Sequence, residues 1–196
     1  MTVVAKKKRR TKEEILADWE SNPMRRPFLE KVVAHIAVGA EGEPLLKAGT
    51  VLEELSGQKS VFRRAKRSIK EFGIRKKQNI AAMVTLRGER AKEFLRRAIF
   101  VKDNRVLRKS FDDFGNFSIG IQEHITIPGV RYNPELGIFG LHVHVHLERP
   151  GCRVKRRRKF RQKIGKNHHV RREETMLFME REFNAEIVDK MVERYY

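Results

Sequence analysis

The sequence predicts an α+β fold: a single domain with strands in one sheet and helices to one side, with basic loops and a basic N-terminal arm added. Three observations predict it. Runs of period two, rich in β-branched residues, alternate with amphipathic stretches of helical period. A hydrophobic content of 40% over 196 residues supplies one real core. Two segments are too basic to enter that core and must lie outside it.

The elements follow in chain order. Residues 1–10 end in "KKKRR" and read as a basic arm that orders only on a polyanion. Thr11 with Glu14 three residues on is a capping box, so a short helix starts there, and "SNPMRRP" breaks it. "FLEKVVAHIAVG" reads as a strand. "EPLLKAGTVLEELSG" reads as a helix stopped by Gly57, despite Gly49 inside it. "NIAAMVTLRG" is a strand, and "GERAKEFLRRAIFV" is a helix with Ala91, Phe94, Leu95, Ala98 and Ile99 on one face. "FDDFGNFSIGIQEHI" places glycine turns around a strand. "GIFGLHVHVHLE" alternates from Leu141 to Leu147 and is the clearest strand. "REETMLFMEREF" is a helix, and "AEIVDKMVERYY" is read as a further, C-terminal one.

The charge is one-sided: 44 Lys plus Arg against 25 Asp plus Glu, net +19. A domain that basic repels itself without counterions or a polyanion. Nucleic acid and an anionic membrane surface are the candidates. No apolar run approaches the roughly 20 residues of a membrane span, and no hydrophobic signal region follows the basic N-terminus. Cys152 is the sole cysteine, which excludes an intramolecular disulfide and fits a reducing compartment, so the cytoplasm is expected.

The charge is also concentrated. Residues 60–78 hold eight cations and one acid, and residues 149–172 hold twelve cations and no acid. A scattered charge run is usually a solvated face. Two clusters without compensating acids instead fit phosphate-backbone contacts. Arginine-rich loops that order on binding favour RNA. No zinc finger and no basic helix followed by heptads occurs. In the first cluster, Val61, Phe62, Ile69, Phe72 and Ile74 are expected to root the segment in the fold.

"HVHVH" is the sharpest enzyme-like signal. On a strand, His142, His144 and His146 share one face. Imidazoles so spaced can ligate one zinc, with Cys152 nearby in sequence, so a zinc module or zinc enzyme is the alternative reading. The competing reading is a polar or RNA-facing sheet surface. His168 and His169 are expected to meet phosphate or solvent. Catalysis has little support. Asp112 and Asp113, like Glu13 and Glu14, are adjacent and do not face each other. Neither GxSxG nor GxxxxGK occurs. No enzyme activity and no cofactor is expected. "GERAKEFLRR" could be a membrane-surface helix, but its narrow apolar face suits the core, so no membrane partner is expected.

Read together, six motifs resemble the universal large-subunit ribosomal protein family called L-five, in its archaeal and eukaryotic branch (L-eleven in eukaryotic naming). They are "NPM" at 22–24, "EKVVAHIAVG" at 30–39, "GQKSVFRRAKRSI" at 57–69, "VTLRGER" at 84–90, "FDDFGNFSIGIQEHI" at 111–125 and "GIFGL…LERPG" at 137–151. The resemblance implies an RNA-binding domain over residues 21–184, an antiparallel sheet backed by helices with basic RNA-binding loops. Residues 1–20 form the arm and short helix, and 185–196 a helical extension. It implies 5S ribosomal RNA on one sheet face, with His35, Gln58, Phe72 and Thr85 at the contact. It also implies contacts with large-subunit RNA, with peptidyl-site (P-site) tRNA, and with a small-subunit protein at an intersubunit bridge. The tRNA loop would comprise Gly73, Ile74, Arg75, Lys76, Lys77, Gln78 and Asn79. Other phosphate contacts are assigned to Lys59, Arg63, Arg64, Lys66 and Arg67, and to Arg153, Lys155, Arg156, Arg157, Arg158, Lys159 and Arg161. Two departures stand out. Relatives often carry Asn in place of His35, and the family offers no precedent for three histidines at 142, 144 and 146.

Overall fold

The computed structural model describes residues 10–190. Its main sheet has five strands: β1 (Phe28–Ala37), β2 (Val61–Arg64), β3 (Asn79–Leu86), β5 (Asn116–Ile121) and β6 (Leu141–Glu148), in the order β2-β3-β1-β6-β5. All neighbours run antiparallel. Four helices accompany it: α1 (Lys12–Ser21), α2 (Glu43–Ser56), α3 (Gly88–Phe100) and α4 (Arg172–Phe183). A second, parallel pair joins β4 (Arg105–Leu107) to β7 (Glu186–Val188). The α+β expectation holds.

Alternation decides which sheet face is buried. Val32, Ala34 and Ile36 on β1, Ala82, Val84 and Leu86 on β3, and Leu141, Val143, Val145 and Leu147 on β6 all point inward. They meet Leu52 of α2 and Phe94, Leu95 and Ile99 of α3 in one apolar cluster. Each Val, Leu, Ile or Phe among them contributes roughly 1.5–3 kcal/mol on burial. The residues between them on each strand face away from the helices.

The local signals work as the physics requires. Thr11 Oγ1 accepts the Glu14 N–H at 3.3 Å, and Glu14 accepts the Thr11 N–H at 3.1 Å, closing the capping box. The helix it starts is part of the body, because Ile15 and Trp19 are buried in the core. Gly57 ends α2 with φ 63°, a left-handed conformation that suits glycine. Gly49 has a different reason. A Cβ there would lie 3.1 Å from the Phe62 ring and from Ser60 Oγ, so its absence lets β2 approach α2.

Three expectations are corrected. Residues 186–188 form a strand rather than a helix: Asn184 turns left-handed (φ 51°) and ends α4, and β-branched Ile187 and Val188 then pair with Val106 and Leu107. The rest of that predicted extension, 191–196, and the arm residues 1–9 lie outside the described residues. The basic stretch 149–172 does reach the interior: Cys152 and Val170 are buried. Arg149 and Glu174 are both buried and joined by two hydrogen bonds of 2.6 and 2.7 Å. Among the apolar residues of the first cluster, Phe62 packs on the core, while Val61 and Phe72 are exposed.

Candidate nucleic-acid interface

The sheet face turned away from the helices carries polar and cationic side chains interspersed with Val33, Val61 and Met83. Pairing register lines them up in rows across the strands. His35 stands opposite Met83 on one side and His142 on the other. Val33 stands opposite Thr85 and His144, and Lys31 opposite His146. Met83 in turn faces Val61, whose neighbour but one is Arg63. A period of two thus delivers His35, Thr85 and Lys31 to the same surface as the HVHVH rings.

Three rings form a cluster. His35 lies 6.5 Å from His142 and 6.3 Å from His144, and those two are 6.2 Å apart, centroid to centroid. The rings stand side by side rather than converging. Among the described residues no group of three or more His, Cys, Asp or Glu could hold a metal ion. The zinc alternative is therefore not supported by the geometry. Cys152 is buried, and burial followed by the Glu148 charge pushes its thiol upward. Burial, then the charges of His144 and His142, lowers His35 from its ordinary 6.5. Burial and His142 lower His144 likewise. His146 is lowered chiefly by burial, against the opposing pull of Glu148.

Gln58 and Thr85 are brought together: Gln58 Nε2 donates to the Thr85 carbonyl at 3.3 Å, tying the end of α2 to β3. His35 lies one strand away on the same face. Phe72 does not join them. It is 74% exposed, on the hairpin arm that extends β2 and β3 beyond the sheet.

That arm is a braced ladder. Ala65 N–H donates to the Gln78 carbonyl at 2.8 Å and Lys77 N–H to the Ala65 carbonyl at 2.9 Å. Ile69 and Ile74 pair across it. Lys76 N–H donates to Ser68 Oγ, and Arg75 N–H to Gln78 Oε1. The turn lies at Lys70–Phe72, with Gly73 left-handed at φ 65°. Arg75, Lys76, Lys77 and Gln78 therefore sit on the returning limb, and Asn79 already begins β3. Among the described residues the salt bridges include none of the arm's cations, Arg63, Arg64, Lys66, Arg67, Lys70, Arg75, Lys76 and Lys77.

The second basic loop is divided. Lys155 pairs with Glu148, and Arg156 pairs with both Glu148 (2.6 Å) and Glu30. Burial alone would raise the Glu30 carboxyl, but Arg156 and Arg87 outweigh it and hold it below 4.5. These two cations anchor the loop to β1 and β6. Arg153, Arg157, Arg158, Lys159 and Arg161 are exposed, and Arg157 Nε donates to the Phe160 carbonyl. His168 departs from the sequence expectation: its Nε2 lies 2.8 Å from the Pro150 carbonyl, closing the loop's base. His169 stands edge-on to Phe114 at 6.0 Å. The division between anchoring and exposed cations was hidden in the sequence, because Glu30 lies 126 positions from Arg156.

Comparison with known proteins places the chain. The family model for ribosomal protein L5 matches residues 22–75, and that for the ribosomal L5 family C-terminus matches residues 79–178. The large ribosomal subunit protein uL5 of Aeropyrum pernix is 52% identical over 89% of this chain and 92% of its own length. The protein of the same name from Sulfurisphaera tokodaii is 50% identical, over 86% and 96% respectively. The one from Tetrahymena thermophila is 41% identical, over 88% and 99%. With both halves of the family matched in order, and the uncovered sheet face and two basic projections on one body, the chain belongs to the ribosomal protein L5 family.

Proposed function

We propose that this protein is a structural constituent of the large ribosomal subunit that binds 5S ribosomal RNA on its open sheet face and reaches P-site tRNA with its hairpin arm. The observation that carries the reading is the open face itself. An antiparallel sheet covered by helices on one side presents Lys31, His35, Thr85, His142 and His144 on the other, with Gln58 at its margin. Such groups bond and stack on RNA, whose 2′-hydroxyls, phosphates and splayed bases need both kinds of contact. Family membership supports the assignment to the ribosome, as do the names of the relatives.

The arm suits a different task. Its cations are exposed and uncompensated, and contacts to phosphate fix position without reading sequence. A surface that must accept every tRNA needs that property. Arg75, Lys76 and Lys77 meet the tRNA backbone from the returning limb, and the exposed Phe72 ring at the turn stacks on a 5S base. Arg63 and Arg64 at the arm's root, with Lys59, Lys66 and Arg67, meet ribosomal RNA phosphates. Large-subunit RNA and a small-subunit protein at an intersubunit bridge complete the neighbours. Nothing in this role calls for catalytic turnover.

Separation of function tests the assignment. Gln58→Ala and Thr85→Ala each weaken 5S binding by about 1 kcal/mol, the worth of a neutral hydrogen bond. Arg75→Ala with Lys76→Ala leaves 5S binding nearly intact and weakens tRNA footprints in assembled ribosomes. A large loss of 5S affinity in the arm variant overturns the division.

A further inference from the structure

Phe160, in the second basic loop, has no role in holding the fold. It is 83% exposed, more than any other exposed large hydrophobic residue among those described. Its backbone is left-handed, φ 52°, a region that bulky side chains avoid. The turn that imposes this is fixed by Arg157 Nε, which donates to the Phe160 carbonyl at 2.8 Å. A solvated ring and a disfavoured backbone conformation coincide at one residue, and the core gains from neither. Strain without a packing return points to a binding role.

The surroundings specify the ligand. Arg158, Lys159 and Arg161 flank the ring and are exposed. The salt bridges of this loop engage Arg149, Lys155 and Arg156 instead. Those bridges hold the loop's base against β1 and β6, so the turn is presented from a fixed support. One flat ring among unneutralised cations matches a base flanked by its phosphates. A membrane-inserting loop would group several exposed apolar side chains, whereas Ile164, the next apolar residue after Phe160, is half-buried.

We propose that Phe160 is a stacking platform for an unpaired RNA base, with Arg158, Lys159 and Arg161 holding the adjoining phosphates. The proposal rests on the RNA-binding reading of this loop. It differs from that reading in requiring an exposed base face, which a continuous duplex does not offer.

The test uses the full-length chain, a single-stranded oligoadenylate, an RNA duplex of equal length, and phosphatidylserine vesicles. Phe160→Ala and Phe160→Leu both weaken oligoadenylate binding by roughly 5- to 150-fold, the range for losing one stacked base. Their duplex affinity and salt dependence match the wild type. Phe160→Trp restores the affinity, and its emission is quenched by oligoadenylate above the constant signal of the buried Trp19. Wild-type oligoadenylate affinity in the Leu or Ala variant overturns the proposal while leaving the RNA reading in place. So does an emission change in the Phe160→Trp variant on adding vesicles and none on adding oligoadenylate. If the wild type binds neither RNA, the loop's RNA reading and the stacking proposal fall together.

Discussion

Removing two pairs of cations from one loop should give opposite results. In one variant Arg158 and Lys159 become Ala; in the other, Lys155 and Arg156 do. The first pair is exposed. Each phosphate contact on duplex RNA releases close to 0.9 counterion by analogy with B-DNA, so losing two lowers the slope of log affinity against log salt by about 1.8. Between about 50 and 200 mM salt the wild type then loses roughly tenfold more affinity than this variant. The second pair is neutralised inside the fold by Glu148 and Glu30, and its removal changes the slope little. It leaves the Glu148 carboxylate, which is only 5% exposed, with His146 Nε2 at 3.5 Å as its remaining partner. Breaking a buried pair costs about 3–5 kcal/mol. Lys155 and Arg156 are 35% and 44% exposed, so solvent screening reduces this to about 2 kcal/mol. That corresponds to a fall in Tm of about 4–8 °C for a chain of this size. Fluorescence anisotropy across the salt range and thermal melting read the two effects separately. An equal loss of slope in both variants would refute the division of the loop into anchors and contacts.

Other predictions follow from the same geometry. Glu174→Ala leaves Arg149 buried without its partner and lowers stability by about 3–5 kcal/mol; a matched apolar replacement of both residues recovers much of it, and a double-mutant cycle by denaturant unfolding measures the difference. Acid acts oppositely on the free and bound protein. His35 and His144 are lowered from 6.5 on folding, so the unfolded chain takes up protons first and stability falls as pH drops through and below 6.5. RNA affinity rises over the same interval, because protonated rings beside Lys31 and Arg63 meet phosphate. Melting and binding measured at several pH values check both signs, and His35→Asn with His144→Asn should flatten both curves. Gly49→Ala tests the close approach of β2: the crowding at 3.1 Å from the Phe62 ring outweighs the gain in helix propensity of about 1 kcal/mol, so thermal unfolding shows a net loss.

Much of the fold was legible because local chemistry and tertiary structure agree. The capping box at Thr11, the stop at Gly57 and the alternation at 141–147 each state their element without help from distant residues. β2 was not legible, because two of its four residues are Arg63 and Arg64 on an edge strand, where charge is tolerated and the hydrophobic pattern disappears. β7 was misread because its three residues follow a helix and gain strand character only beside β4. The site was legible in part. Gln58 and Thr85 do meet, and His35 shares their surface. Phe72, which the resemblance groups with them, stands apart from them on the arm with its ring exposed. Phe160 gave no sequence signal, since an aromatic in a basic run reads equally as an anchor.

The most direct test of the account is a titration against 5S ribosomal RNA, with an unrelated RNA of the same length as competitor, at low and moderate salt. Tight binding that survives both competitor and moderate salt is the expected result, because polar groups on the open face add shape-specific contacts to the electrostatic attraction. Binding that vanishes with salt and ignores RNA identity would contradict it, leaving only attraction between a polycation and a polyanion.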